Sequence, residues 1–316
     1  MSRPPLALRS VVPRALGRPG QALAVLWRFS RPHTLIGTSV GIAGLYAIAV
    51  SRFGQESVFH LAMTLLAGAC VNVYIVGINQ IEDVAIDRVN KPWLPIAAGD
   101  LSPAAARRIV AVAGALPLVL GITQGPVETG AVAIALAVGT AYSVPPARLK
   151  RFPALASLSI TFVRTLVVNL GVWLHFEAAL GPGGRAVDPV VWALIAVTVP
   201  FSFAIAILKD VPDVEGDRRY GVATFSVRLG SRPVFALGLA ALTAAEAGMA
   251  AAGLALLDGV SRPVLVGGHL AALAVLWRWA ARVDLADRAS IATFYQHVWH
   301  LFFLEYVLLP LAAVLG

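Results

Sequence analysis

Two pairs of aspartates are the residues of this sequence whose types and spacing could do chemistry. Asp83 and Asp87 lie in the segment DVAIDR, and Asp213 and Asp217 lie in the segment DVEGDR, 130 residues later. Residues spaced i and i+4 share one face of a helix. Each pair can therefore present two carboxylates to a single ligand, provided that the preceding helix continues through it.

Clustered carboxylates repel one another, and they stay ionised only where a cation lies between them. Oxygen-only donors suit Mg²⁺, which keeps several waters and completes its shell with substrate phosphates. We therefore predict a Mg²⁺ site that includes one further polar residue near each pair. The predicted ligands are Asn79, Asp83, Asp87, Asp210, Asp213 and Asp217. Solvated loop acids neutralised by neighbouring arginines are the alternative, and two clusters of equal spacing argue against it.

Basic residues are interleaved with these acids, as a diphosphate site requires. In such a site the carboxylates hold the metal, while the metal and the cations together hold the diphosphate. The predicted diphosphate-binding residues are Arg88, Lys91, Arg148, Lys150, Lys209 and Arg218. Any one of them could instead serve only as a topology signal.

The composition indicates which elements must position these residues. The 316 residues are 58% hydrophobic and 13% charged, whereas soluble domains are about 45–50% apolar and about 25% charged. A helix needs roughly 20 apolar residues to cross the bilayer. The sequence therefore predicts an all-α integral membrane protein with nine transmembrane helices. They are placed near 34–51, 58–80, 104–123, 127–142, 153–176, 189–208, 233–256, 263–280 and 292–314.

The distribution of the net charge of +8 predicts the orientation. Of the 25 basic residues, 21 precede the first predicted span or follow an even-numbered one. Only Arg52, Arg185 and Arg262 fall on the other side. The positive-inside rule makes the basic side cytoplasmic, which leaves little support for nucleic-acid binding. Both acidic clusters then face the cytoplasm.

The N-terminal segment, 1–32, is rich in arginine and free of acidic residues. It is predicted to lie on the membrane surface as a basic amphipathic segment, although transit peptides share this composition. Residues 33–316 form the predicted transmembrane domain. The Ala, Arg and Gly bias is typical of a bacterial inner-membrane protein with a cytoplasmic N-terminus and site. The lone cysteine, Cys70, excludes a disulfide framework.

The similarity of the two acidic segments suggests an internal repeat. One segment follows the second predicted helix and the other follows the sixth, so the chain is interpreted as two four-helix halves and a ninth helix.

Several blocks of sequence resemble the UbiA superfamily of intramembrane prenyltransferases, and most closely its homogentisate prenyltransferases of tocopherol and plastoquinone biosynthesis. The superfamily has an NxxxDxxxD-type motif after the second helix and a DxxxD-type motif after the sixth. The matching blocks are RPHTLIGT (31–38), INQIEDVAIDRVNKPWLPIAAGDLS (78–102), AYSVPPARLKRFP (141–153), VRTLVVNLGVWLHF (163–176), LKDVPDVEGDRRYGVATFSVRLG (208–230) and FYQHVWHLFFLEY (294–306). Much of the superfamily has Asp at position 80, where this chain is similar to homogentisate-type members in having Gln.

The resemblance implies a UbiA-like fold of nine helices around a central cavity. It also implies a Mg²⁺-bound prenyl diphosphate with a phytyl, geranylgeranyl or solanesyl chain, and decarboxylating C-prenylation of homogentisate. Resemblance and position together suggest Arg31, His33, Tyr142, Arg164 and Asn169 as the residues for the aromatic substrate. Arg164 is the one arginine or lysine far from both ends of a predicted span, where a charge is a functional candidate by default.

Other functions remain open at this stage. Within the superfamily, the acceptor could be a 4-hydroxybenzoate-like ring or chlorophyllide. A polytopic lipid or diphosphate transporter is the alternative of a different class, and it predicts polar sites at the bilayer midplane. The acids inside predicted spans that would suit it are Glu246 and Glu305, and neither has an obvious basic partner in the sequence.

Overall fold

Helices make up most of the chain. The computed structural model describes residues 19–184 and 187–316, and these ranges contain no β-strand. The α-helices are α1 (Pro19–Phe29), α2 (Pro32–Phe53), α3 (Val58–Glu82), α4 (Val84–Asn90), α5 (Pro95–Ala98), α6 (Pro103–Gln124), α7 (Pro126–Ser143), α8 (Pro153–Thr161), α9 (Val168–Leu180), α10 (Pro189–Leu208), α11 (Val214–Arg219), α12 (Phe225–Leu229), α13 (Ser231–Ala255), α14 (Arg262–Ala280) and α15 (Arg288–Val314). A π-helical turn, Phe162–Val167, joins α8 to α9, and a short 3-10 helix, Leu149–Arg151, precedes α8.

Eight helical segments are long and apolar enough to cross a membrane. They are α2, α3, α6, the continuous Pro153–Leu180 segment, α10, α13, α14 and α15. All eight correspond to predicted spans, and the chain is an integral membrane protein. The remaining predicted span, 127–142, is helical as α7 but falls outside this set. A ninth crossing by α7 therefore stays a prediction.

The predicted N-terminal segment is described only in part. Residues 1–18 lie outside the described residues, and α1 covers most of the rest. Val25 and Phe29 of α1 are buried, while Trp27 is half exposed. One face of α1 therefore packs on the bundle, and the membrane-surface location of the segment stays a prediction.

Local sequence explains where the long helices begin. Proline occupies the start of α2, α6, α7, α8, α10 and α14, where its missing N–H is not needed for a helical hydrogen bond. The side chains of Ser57, Ser102 and Asp188 cap the starts of α3, α6 and α10. These signals fix where the loops end and the long helices begin.

Helices α2 and α15 approach each other closely. A β-carbon at Gly44 would lie 2.6 Å from the carbonyl oxygen of Tyr306, so only glycine allows this contact. Small residues drive such approaches between membrane helices, where packing replaces the hydrophobic effect. The contact places Trp299 and Tyr306 of α15 along the wall of the central cavity.

One of the two acids considered for a transporter, Glu305, has a partner that the sequence did not reveal. Glu246, His269 and Glu305 are fully buried on α13, α14 and α15. The ring of His269 lies 3.0 Å from Glu305 Oε2 through Nε2 and 2.6 Å from the Leu265 carbonyl through Nδ1. The expectation that Glu305 lacks a basic partner is therefore wrong, because His269 is brought to it from another helix.

The His269→Leu variant should be less stable than the wild type. It removes the hydrogen-bond partner of Glu305 inside an apolar interior, and an unsatisfied buried group costs about 1–3 kcal/mol. We expect the Tm in detergent to fall by several degrees, because a loss of this size in the free energy of unfolding lowers the Tm by about that much. His300 lies on an exposed face of α15, so His300→Leu should leave the Tm unchanged. Equal Tm values for both variants would contradict a stabilising role of the pair.

Candidate active site

The two acidic segments, far apart in the sequence, meet in the structure. Helix α4, which follows Asp83, packs against α11, which follows Asp213. The carboxamide of Asn90 joins them, since its nitrogen donates to Asp217 Oδ1 at 3.3 Å and its oxygen accepts from the Gly216 N–H at 3.1 Å. A β-carbon at Gly216 would collide with this carboxamide. Glycine at position 216 therefore allows the close contact.

The helix before the first cluster does not continue smoothly through it. Helix α3 ends at Glu82, and Asp83 interrupts it with φ −108° and ψ 15°. The i to i−4 backbone hydrogen bonds nevertheless persist, from Asp83 to Asn79 at 3.0 Å and from Asp87 to Asp83 at 2.8 Å. The expected spacing of the two carboxylates is thus kept across a kink.

All six predicted metal ligands line one mouth of a single cavity. Asp87, Asp213 and Asp217 are almost fully buried there, and Asn79 donates to Ser143 at 3.4 Å through its nitrogen. The structure therefore brings the predicted ligands together, from α3, α4, α11 and the turn that follows α10.

Burial leaves two of these carboxyls poorly neutralised. Burial raises the pKa of Asp87 to about 6, with the carboxylates of Asp83 and Asp213 adding to the effect against Arg31 and Lys91. Burial, followed by the charges of Asp210 and Asp213, raises the pKa of Asp217 to about 7. The Oδ2 atom of Asp87 is buried and has no hydrogen-bond partner among the described residues. A buried carboxylate oxygen without a partner, surrounded by oxygen donors, fits a Mg²⁺ site.

Four of the six predicted diphosphate-binding residues contact the acids directly. Lys150 lies 2.7 Å and Arg148 3.3 Å from Asp83, and Lys209 lies 3.6 Å from Asp210. Lys91 forms an ion pair with Asp213. Lys91, Lys150 and Lys209 also line the cavity mouth, so they can reach an anion bound there.

The pKa values of Lys150 and Lys209 are shifted in opposite directions. Burial lowers the pKa of Lys150, against the opposing effect of the Asp83 carboxylate. Burial acts in the same direction on Lys209, but the Asp210 carboxylate and Tyr142 outweigh it and raise the pKa. The hydroxyl of Tyr142 also accepts a hydrogen bond from Lys209 at 3.0 Å. Lys209 is therefore held as a cation at the mouth.

Three of the predicted diphosphate-binding residues do not line the cavity, and one cation was missed. Arg88 and Arg218 are exposed, and Arg148 contacts Asp83 without lining the cavity. Arg288, at the start of α15, does line it, 3.7 Å from Asp213, and it donates to the carbonyl of Asn90 at 2.8 Å. In the sequence, Arg288 appeared only as one of the basic residues that set the orientation.

A second polar group lies deeper in the cavity, around Arg164. This residue sits in the π-helical turn, a local irregularity that often occurs at functional sites. Its guanidinium lies 4.8 Å from the ring centroid of Trp299, and Nη1 is buried without a hydrogen-bond partner in the described ranges. The His33 ring packs edge-on against Trp299 at 5.0 Å. Arg31 and Tyr142 also line the cavity.

Asn169 takes a different place from the one expected. It is fully buried and is absent from the cavity wall. Its oxygen accepts from the Tyr306 hydroxyl at 2.9 Å, and its nitrogen donates to Thr198 at 3.3 Å. Since Tyr306 does line the cavity, Asn169 acts on the site by holding Tyr306.

The body of the cavity is apolar and deep. Its volume is about 550 Å³, and its lining runs along α3 from Asp83 to Thr64. Nineteen residues of helix rise about 28 Å, close to the roughly 30 Å of the bilayer core. Glu128 and His175, 3.1 Å apart, line its far end. The arrangement suits a molecule with an anionic head and a long apolar tail.

Comparisons with known proteins agree with this geometry. Residues 39–305 match the UbiA prenyltransferase family. A homogentisate phytyltransferase from Synechocystis is 45% identical over 296 residues, covering 92% of this chain and 96% of that protein. A homogentisate solanesyltransferase from Arabidopsis thaliana is 39% identical, covering 90% of this chain and 75% of that protein.

Solved structures give the same fold. A UbiA homologue from Archaeoglobus fulgidus, bound to GPP and Mg²⁺, has a TM-score of 0.63 at 18% identity, covering 90% of this chain and 99% of that one. An apo UbiA homologue from Aeropyrum pernix has a TM-score of 0.62 at 17% identity, covering 90% of this chain and 98% of that one.

The Gly216→Ala variant should separate the two acidic segments, because its methyl group needs the space of the Asn90 carboxamide. We expect the wild-type Tm to rise when Mg²⁺ and inorganic diphosphate are added together, since a ligand of the folded state stabilises it. In the variant, the rise in Tm should be smaller, by the amount expected if Mg²⁺ and diphosphate bind at least about tenfold more weakly.

Gly248→Ala is the matched control, because a methyl group there meets no atom within 4 Å. It should keep the full ligand-dependent shift in Tm. A normal shift in Gly216→Ala would show that the contact between α4 and α11 is not needed to bind the ligand.

Proposed function

Because the chain belongs to the UbiA prenyltransferase family, we propose that it transfers a prenyl group from a prenyl diphosphate to the ring of homogentisate, with loss of CO₂. The observation that carries the proposal is the meeting of two acidic segments at the mouth of a deep apolar cavity, with the buried Arg164 further inside. The curated relatives named above, which act on homogentisate by name, support this choice of acceptor.

The carboxylates at the mouth supply the metal site of the proposed enzyme. Asp83, Asp87, Asp213 and Asp217 would hold Mg²⁺, with Asn79 and Asp210 in support. When bound, Mg²⁺ supplies positive charge for the diphosphate oxygens. The donor set supports this assignment, since it is rich in oxygen and includes the unpartnered Oδ2 of Asp87.

The cations of the mouth stabilise the departing diphosphate. As the allylic C1–O bond breaks, its electron pair goes to the diphosphate, and preorganised positive groups at that point favour the transition state. Lys91, Lys150, Lys209 and Arg288 line the mouth and take this role. Arg88 and Arg218 point to solvent and are left out.

The deeper part of the cavity receives the allylic cation and the ring. Its apolar lining keeps out water, which would otherwise capture the cation. A carbon of the electron-rich ring forms the new bond to C1 and then loses its proton. The acetate side chain loses its carboxyl group as CO₂ and gains a proton. No enzyme nucleophile is required.

Arg164 is proposed to bind the carboxylate of homogentisate. Its guanidinium is held against Trp299, which leaves the unpartnered Nη1 for a ligand. Arg31 and His33 line the same region, while Tyr142 lies between this region and the mouth. A planar guanidinium matches a carboxylate well, so Arg164 orients the ring before attack.

The proposed orientation places the mouth at the cytoplasmic face of a bacterial inner membrane. It is supported by the excess of basic residues in the loops on that side and by the positive-inside rule. Prenyl diphosphate would then enter the cavity from the bilayer, and its diphosphate head would lie at the water boundary.

Asp83→Asn and Asp213→Asn should each lower prenyl transfer by at least about 100-fold, because each removes a carboxylate from the proposed Mg²⁺ site, and the bound Mg²⁺ would supply positive charge for the leaving diphosphate. Membranes containing the protein are incubated with homogentisate, Mg²⁺ and C20 or C45 prenyl diphosphates, and the prenylated product and the CO₂ are quantified. Asp258→Asn, at an exposed aspartate, is the matched control and should keep full activity.

Parallel reactions with 4-hydroxybenzoate and with chlorophyllide test the acceptor. Product from one of these, but none from homogentisate, would refute the proposed substrate. Full turnover in both aspartate variants would refute the metal assignment.

Arg164→Met should raise the KM for homogentisate by about 10- to 100-fold, since a charge-assisted hydrogen bond is worth about 1.5–3 kcal/mol. The KM for prenyl diphosphate should change little. Methylhydroquinone, which lacks the carboxylate, serves as the comparison acceptor. The preference of the wild type for homogentisate over methylhydroquinone should disappear in the variant. An unchanged preference would show that Arg164 does not bind the carboxylate.

A further inference from the structure

The connection between α1 and α2 has an unusual backbone. Arg31 adopts φ 50° and ψ 82°, in the left-handed region that side chains other than glycine rarely occupy. Such a conformation costs on the order of 1–3 kcal/mol and persists only where the surrounding structure enforces it. Something must therefore hold this turn.

Two carboxamides on one face of α3 hold the turn. Gln80 Nε2 donates to the carbonyl of Phe29 at 2.8 Å, and Asn72 Nδ2 donates to the carbonyl of Ser30 at 2.9 Å. These carbonyls lie at the C-terminal end of α1, where backbone carbonyls have no N–H donor within the helix. In an apolar interior such groups need partners, and the carboxamides supply them.

The orientation of Gln80 follows from its contacts. Its nitrogen lies near two carbonyls, those of Phe29 and of Val76 at 3.3 Å, and carbonyls can only accept. The NH₂ end must therefore point at them. A carboxylate at position 80 could not donate to these carbonyls, and it would bring a charge into a fully buried position.

Other contacts complete the clamp. Phe29 is fully buried and packs on Gly77 of α3, between the two carboxamides. On the other side of the turn, the carbonyl of Arg31 accepts from the Thr34 N–H at 2.9 Å and from the Thr34 hydroxyl at 2.8 Å. The backbone on both sides of Arg31 is thus fixed.

The turn aims two side chains into the cavity. Arg31 and His33 both line it. The charge of Arg31 acts on Asp87 at the mouth, while the His33 ring lies against Trp299, the ring that also carries Arg164. Arg31 and His33 therefore stand between the metal ligands and Arg164, where the acceptor ring must lie.

We infer that Asn72 and Gln80 are positioning residues for the acceptor: by holding the α1–α2 turn they set the placement of Arg31 and His33. The inference rests on the proposed function, because it takes Arg31 and His33 to contact the aromatic substrate. It assigns to Gln80 a role separate from the metal ligands beside it. Gln80 does not line the cavity, and Asn72, which does, donates its amide N–H to the Ser30 carbonyl.

The test uses Gln80→Met, which keeps the length of the side chain without its donor, and Asn72→Leu. In full-length protein in membranes, each should raise the KM for homogentisate by about tenfold or more, as loss of an orienting partner does. The KM for prenyl diphosphate and kcat should stay within about threefold. Asn72→Ser, a milder change that is too short to reach Ser30, replaces Asn72→Leu if the latter does not fold.

A double-mutant cycle separates positioning from general packing. Because Gln80 is inferred to act partly through Arg31, Gln80→Met should raise the homogentisate KM less in the presence of Arg31→Ala than in the wild type. Gln124→Met is the matched control, since Gln124 lies at the far end of α6, and it should leave both KM values unchanged.

Independent effects of Gln80→Met and Arg31→Ala, or equal changes in the KM of both substrates, would overturn the inference. So would wild-type kinetics in both carboxamide variants. A wild type that does not prenylate homogentisate would instead refute the proposed function.

Discussion

Five aspartates lie together at one end of the bundle, and the rest of the structure must offset the electrostatic repulsion among them. They can share one cavity mouth only because cations lie among them, and the described residues provide Lys91, Lys150, Lys209 and Arg288. These cations are not enough, since burial still raises the pKa of Asp87 and Asp217. The hydrogen bonds of Asn90 keep the two segments together against this repulsion. A mouth that is strained in this way favours a divalent cation, and the same cation then attracts a diphosphate.

The apolar surroundings impose a second constraint, because polar groups without water need partners inside the protein. Most of the buried polar side chains have them, as in the pairs Glu305 with His269 and Asn169 with Tyr306. Several buried polar atoms without such partners belong to residues that line the cavity, and Arg164 Nη1 and Asp87 Oδ2 are among them. The free-energy cost of leaving these atoms without a hydrogen bond is tolerable if a ligand supplies the missing contact.

Much of the fold could be predicted from the sequence, because hydrocarbon thickness fixes helix length and proline marks several helix starts. The meeting of the acids was also predictable, since DVAIDR and DVEGDR end equivalent helices. The directions of individual loop side chains were not. Arg88 and Arg218 follow the acids in sequence, yet the packing of α4 on α11 turns them to solvent. Asn90 and Arg288 became visible only once that contact brought distant segments together, and His269 likewise required the packing of α14 on α15.

The two acidic segments are locally alike, but the residues around them are not. Asp83 and Asp213 each precede a short helix, and Asp87 and Asp217 occupy the same buried position within it. When two similar acidic segments face each other, their carboxylates are brought together. Two identical segments would therefore repel each other. The chain breaks the equivalence at the neighbouring positions: Asn90, in the first half, donates to an acid of the second, and Lys91 pairs with Asp213. The likeness of the two segments therefore brings the proposed metal ligands together, and the differences between the segments stabilise the contact between them.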